Sequence, residues 1–215
     1  MKVLLGILFL LLLHGCQAAD PTTSSSPVAL ATTSTNTGVA ASDRSAPGSQ
    51  ILNVPGLSPQ AKVSIQPDGA VRVDQWEARS KDGLVEILID GKAFATARKK
   101  EKKDDWLVDR VDGQPVAKLK FRGNDDFKVV SPGDQTLVKV KSKDYGWKVS
   151  GAQEEELYKT RVEKGHIKVK DAQGQEINKL SDDGSGLVVT WLSIESLPLE
   201  VRLAMAYLSR GSHHG

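Results

Sequence analysis

A short strand-like pattern recurs at a nearly constant period through the second half of this chain, and that period constrains the fold more than any other feature. Copies begin at Phe94, Val116, Leu137, Leu157 and Ile177, as in Val116-Ala117-Lys118-Leu119-Lys120 and Leu137-Val138-Lys139-Val140-Lys141, with steps of 22, 21, 20 and 20 residues. A second series lies between them: Trp106-Leu107-Val108, Phe127-Lys128-Val129, Trp147-Lys148-Val149 and Ile167-Lys168-Val169, with steps of 21, 20 and 20. Each unit has room for two strands of about five residues and two turns. Glycine and aspartate fall where tight turns require positive φ, at Asp90-Gly91, Asp112-Gly113, Pro132-Gly133, Asp144-Tyr145-Gly146 and Gln173-Gly174. Apolar and basic residues alternate within the strands, which sends the two kinds to opposite faces. The pattern predicts an antiparallel meander with one wet face. Val63-Ser64-Ile65, Val71-Arg72-Val73 and residues 84–89 add strands upstream, for about ten to twelve in all.

The C-terminal part supplies a cover for the apolar face. Residues 187–192 (Leu-Val-Val-Thr-Trp-Leu) read as a last buried strand. Ser196-Leu197-Pro198 starts a helix that runs to about Ser209, with Pro198 near its first turn. Its residues are apolar nearly all round, interrupted only by Glu200 and Arg202, so it is a buried helix, too short to span a membrane. The expected fold class is mostly β: an antiparallel meander closed as a β-barrel around this C-terminal helix. Strand pairs with Asp-Gly turns, lysine-ended strands such as 116–120, and the Leu-Pro-Leu-Glu-Val-Arg-Leu-Ala segment at 197–204 resemble the tubby C-terminal-like superfamily, which includes the phospholipid scramblases and LURP-one-related proteins. The resemblance covers about residues 62–210. It implies a closed barrel around a buried helix, while scramblase-like cysteine clusters and a calcium-binding segment are missing from this chain.

The N-terminal quarter has a different character. Met1-Lys2 precedes an eleven-residue apolar run, 3–13, about half the length needed to cross a bilayer, and the segment ends Leu13-His14-Gly15-Cys16. This resembles the lipobox of bacterial lipoproteins. The resemblance implies that residues 1–15 are a signal peptide, that Cys16 becomes the lipidated N-terminus, and that Gln17 directs the protein to the outer membrane. Of the 34 residues in 17–50, 25 are Ala, Ser, Thr, Pro or Gly. Such a composition cannot bury enough apolar surface to offset its ordering entropy. Residues 16–61 are therefore expected to form a disordered tether, with the folded unit at 62–210 and a disordered tail at 211–215. Cys16 is the only cysteine, so no disulfide framework supports the domain.

Catalytic raw material is sparse. His166 stands beside a turn glycine, His213 and His214 lie in the tail, and the acidic pairs Asp104-Asp105, Asp125-Asp126 and Asp182-Asp183 fall in turns. Metal-ligand spacing, a phosphate loop and a nucleophile elbow are absent from the sequence. The reading is a protein that is not an enzyme and carries no cofactor. The basic residues carry more information. Lys118 and Lys120, Lys139 and Lys141, and Lys159 and Arg161 recur at equivalent places in successive copies, as do Lys128, Lys148 and Lys168 between them. The segment Arg98, Lys99, Lys100, Lys102, Lys103 adds a basic loop. If these share the outer face, they form a column suited to anionic lipid head groups or another polyanion. From residue 62 onward 27 Lys and Arg face 25 Asp and Glu, so bulk charge gives no argument for nucleic acid. The expectation is an envelope lipoprotein that binds anions non-enzymatically, held to the membrane by its lipid anchor. The alternative is a scaffold that holds a protein partner.

Overall fold

The structure is a computed structural model that describes residues 48–57, 59–101, 104–123 and 125–210. Cys16, the signal peptide, the tether up to residue 47, Lys102, Lys103 and the 211–215 tail lie outside the described residues. Fourteen strands follow one another: β1 (Ser49–Leu52), β2 (Ala61–Ile65), β3 (Val71–Val73), β4 (Trp76–Lys81), β5 (Leu84–Ile89), β6 (Lys92–Lys99), β7 (Asp105–Arg110), β8 (Pro115–Phe121), β9 (Phe127–Val130), β10 (Thr136–Lys143), β11 (Gly146–Ser150), β12 (Glu156–Glu163), β13 (His166–Asp171) and β14 (Glu176–Ser181). Two helices end the chain, α1 (Gly186–Leu192) and α2 (Leu199–Ser209). Each strand pairs antiparallel with its neighbour in sequence, and the single sheet curls into a nearly closed barrel.

The repeat is visible in the turns. Arg110, Ser131, Gly151 and Asp171 each donate their N–H to the carbonyl four residues on and accept a bond from the N–H three residues on. The residue at that third position is left-handed each time: Gly113 (φ 84), Asp134 (φ 66), Glu154 (φ 65) and Gly174 (φ 82). This is a type I turn closed by a left-handed bulge residue. Two-residue turns with both residues at positive φ join β4 to β5 at Asp82-Gly83 and β12 to β13 at Lys164-Gly165, at the other end of the barrel, and β5 to β6 at Asp90-Gly91, at the same end as the four bulged turns.

Both helices lie against the inner face. α2 packs on β3, β4, β5, β6 and β8, and α1 on β11, β12 and β13. The strands beneath α2 present Ala78, Ala95, Ala97 and Ala117 inward, small side chains that leave room for a helix. Beneath α1, Gly186 permits a close approach: a Cβ there would meet the Trp147 ring at 2.7 Å. Leu192, Leu203 and Met205 are fully buried, each contributing roughly 1.5–3 kcal/mol of transfer free energy. The two charged residues of α2 find partners, although Arg202 Nε stays buried without one. Glu200 accepts a bond from Arg110 Nη2 at 2.8 Å, while Arg202 donates to the Leu192 carbonyl at 3.1 Å and the Pro55 carbonyl at 2.8 Å. Burial pulls the Arg202 pKa down from its usual range.

Three expectations need correction. Residues 187–192 form helix α1, not a last strand. A run of six apolar residues fits either state, but a segment that lies in the interior and not in the wall has no neighbouring strand to pair with, and only a helix satisfies its own backbone. The strands number fourteen because β4, whose inward positions are only Trp76 and Ala78, carries a weak apolar signal, and because β1 falls within the segment assigned to the tether. Leu52 and Val54 are buried, so the folded unit begins before residue 62.

β14 and β1 form a seam without a strand pairing. Asn178 on β14 spans it: its amide oxygen accepts the Asn53 N–H at 2.8 Å, and its amide nitrogen donates to the Asn53 carbonyl at 3.0 Å. The same nitrogen lies 3.0 Å from the Ser193 hydroxyl at the end of α1, and Gln50 bonds Asp183 across the same gap. One side chain therefore does the work of a ladder rung.

Candidate functional site

Alternation within the strands turns the repeated lysines outward, and the register decides which of them meet. Direct cross-strand partners on one face stand about 4.5–5.5 Å apart. On β8, β9 and β10 the pairs are Lys120 with Lys128 and Lys128 with Lys139. On β10 through β13 they are Lys141 with Lys148, Lys148 with Lys159, and Lys159 with Lys170. One step along the barrel axis, Arg161 opposes Lys168 and Lys168 opposes Lys179. That makes seven like-charge pairs in succession, each mildly destabilising on its own.

The other half of the barrel is built differently. Arg72 on β3 opposes Glu77 on β4, with Nε 2.8 Å from the carboxylate, and Arg79 on β4 opposes Glu86 on β5 at 3.2 Å. Lys81 also reaches Glu86, at 3.3 Å. The same sheet thus pairs unlike charges on β3–β5 and mainly stacks like charges on β8–β14, where the exception is Lys170 opposite Glu176.

What neutralises the basic half is peripheral. Asp134 lies 2.8 Å from Lys118 and 3.7 Å from Lys120, and Glu154 pairs with Lys139. Glu156 is 3.5 Å from Lys148, and Glu163 is 2.8 Å from Lys168. Hydrogen bonds from Lys118, Lys139 and Lys168 hold the carboxyls of Asp134, Glu154 and Glu163 below their usual values, and Glu163 raises Lys168. All four acids are well exposed, so these pairs are weak and exchangeable. Tyr145 acts on two more cations without cancelling their charge: Lys159 Nζ sits 4.5 Å from its ring centroid and the Arg161 guanidinium 5.6 Å. Lys128, Lys141, Lys170 and Lys179 have no ion pair among the described residues.

A cleft of about 100 Å³ opens on this face where β9 ends short of β10. Arg122, Lys128, Lys139 and Lys141 line it around an apolar floor of Phe127 and Val140. Its one acid, Asp126, accepts the Ser142 N–H at 3.0 Å.

The structure brings together Lys118, Lys120, Lys139, Lys141, Lys159 and Arg161, as the repeat predicts. The basic loop does not join them as a free set. Arg98 pairs with Asp109 at 3.1 Å and Lys99 with Asp104 at 2.8 Å, while Lys100 is close enough to Asp134 to help lower its pKa. Lys143, Lys170, Lys179 and Arg122 complete the face; Lys179 holds the place of Lys118, Lys139 and Lys159 in the copy that begins at Ile177, and the other three lie outside the equivalence that the repeat reveals. Lys170 could have been found from Lys168 by the two-residue period. Arg122 needed the short β9. His166 is exposed at the start of β13, opposite Glu163 and Ser181.

Compared with models of protein families, with curated proteins and with solved structures, the chain finds no match.

Proposed function

We propose that this chain is a non-enzymatic binding module for polyanions of the bacterial envelope, anionic lipid head groups among them, and that the outer face of β8–β14 is its binding surface. The observation that carries the reading is the run of seven like-charge cross-strand pairs. Surface lysines kept for solubility alone have no need of this register, since β3–β5 achieve a charged surface with opposite charges in register. A stack of lysines that destabilises the free sheet is relieved when an anion enters it. The tubby-like resemblance and the lipobox-like ending at Cys16 add the setting: a lipid-anchored domain at the outer membrane. Outward lysines over an apolar interior are also the reverse of a membrane-spanning barrel, whose outer band is apolar.

The test is retention of the full-length protein on immobilised dextran sulfate at 50 mM and 1 M salt. Electrostatic binding weakens steeply over that interval, as the Debye length falls from above 10 Å to about 3 Å. Wild type should be held at low salt and released at high salt. A Lys141→Gln, Lys159→Gln, Lys170→Gln variant should elute early, and Arg72→Gln should behave as wild type. Equal retention of the triple variant and wild type would contradict the assignment of the face.

A further inference from the structure

Six of the seven pairs form a continuous track around the girth of the barrel, and Arg161 flanks it beside Lys168. It runs Lys120, Lys128, Lys139, steps two residues along β10 to Lys141, continues Lys148, Lys159, Lys170, steps two residues along β13 to Lys168, and ends at Lys179. β10 and β13 run in opposite directions, and the steps go from 139 to 141 and from 170 to 168, so both shift the track the same way. The track is therefore a shallow helix over seven consecutive strands, half of the fourteen. With about 4.8 Å between strands, its six steps cover roughly 29 Å.

This shape selects among anionic ligands. Half the girth of a barrel is convex, so the outward normals at β8 and β14 diverge widely. A flat bilayer can touch only the strands nearest its plane and leaves the ends of the track unused. A flexible chain can follow the whole curve. Its charges need a spacing near that of the strands, about 4.8 Å. A linear polysaccharide with one carboxylate on every sugar has that kind of spacing, whereas a polyphosphate packs its charges more densely. We infer that the track takes a linear acidic polysaccharide, a polyuronate, laid across strands β8–β14 with successive carboxylates on successive lysines. The inference rests on the polyanion-binding reading above and names its ligand class. The cleft of Arg122, Lys128, Lys139 and Lys141 then marks where the chain lies deepest, with three track lysines and an extra arginine around one carboxylate.

The experiment is calorimetric titration of full-length protein at low salt with galacturonate oligomers from one to twelve sugars, beside sedimentation with phosphatidylglycerol-containing vesicles. The affinity should climb with each added sugar up to about seven and then level. Lys148→Gln and Lys159→Gln, in the middle of the track, should weaken the long oligomers several-fold while leaving the dimer nearly unchanged, and Arg72→Gln should alter neither. Affinity independent of length from the monomer onward would overturn the track. Binding to the vesicles with no response to any oligomer would overturn it too, while leaving the anion-binding reading intact. No binding to either probe, nor to dextran sulfate, would remove both.

Discussion

At the scale of single residues, the left-handed turn positions are the most informative. Gly113 and Gly174 occupy two of the four equivalent positions, where a glycine takes positive φ without cost. Asp134 and Glu154 occupy the other two: Asp134 bonds Lys118 and reaches the track at Lys120, and Glu154 pairs with the track lysine Lys139. A side chain in this conformation is strained, so the two acids are held there against backbone preference. Glu154→Gly should leave the thermal midpoint unchanged or slightly higher, since strain is relieved as the exposed pair with Lys139 is lost. Its affinity for dextran sulfate should rise several-fold, which retention at graded salt would show. The pH dependence has the same origin. Asp134, Glu154 and Glu163 have lowered pKa values, so their pairs persist above the ordinary carboxylate range and are lost only as pH falls through the depressed values. Affinity for a sulfated polymer, whose charge does not titrate, should be flat from pH 7 to about pH 4 and strengthen below. The equivalence of Lys118, Lys139 and Lys159 is legible in the sequence because a repeat copies residue positions. The pairing partners are not, because the turn geometry that carries Glu154 to Lys139 is set by a bulge that spacing alone does not reveal.

At the scale of elements, the seam between β1 and β14 is the place where the meander has to be closed by other means. Asn178→Ala removes both bonds to the Asn53 backbone and the one to Ser193, leaving polar groups unpaired, for a loss of about 2–3 kcal/mol. Hydrogen exchange should quicken in β1 and β14 and stay slow in β5–β8; equal acceleration throughout would mean that the seam is no separate element. Twelve of the strands follow from a pattern strong enough to see without a structure, and α2 follows from a helix apolar on every side with Pro198 at its start. α1 does not. Leu187, Val188 and Val189 are equally at home in a strand, and only their place in the interior, with no neighbouring strand to pair with, makes them helical. β1 is hidden for the opposite reason: Ser49 and Gln50 continue the polar composition before it, and the burial of Leu52 and Val54 comes from docking onto the barrel.

At the scale of the whole molecule, the barrel has two unlike halves on one continuous sheet. β3–β5 set acids against bases, and β8–β14 set bases against bases except where Lys170 meets Glu176. The repeat places the lysines at equivalent positions, and the curl of the sheet turns their recurrence into a surface feature. The central claim is that this second half, and not net charge, is what anions meet. The most direct measurement is a residue-resolved NMR titration of the full-length protein with a polyuronate at low salt. The account predicts shifts at Lys128, Lys141, Lys148, Lys159, Lys170 and Lys179, reversed by 1 M salt, with Arg72, Glu77, Arg79 and Glu86 unmoved. Shifts spread evenly over both halves, or confined to β3–β5, would contradict it.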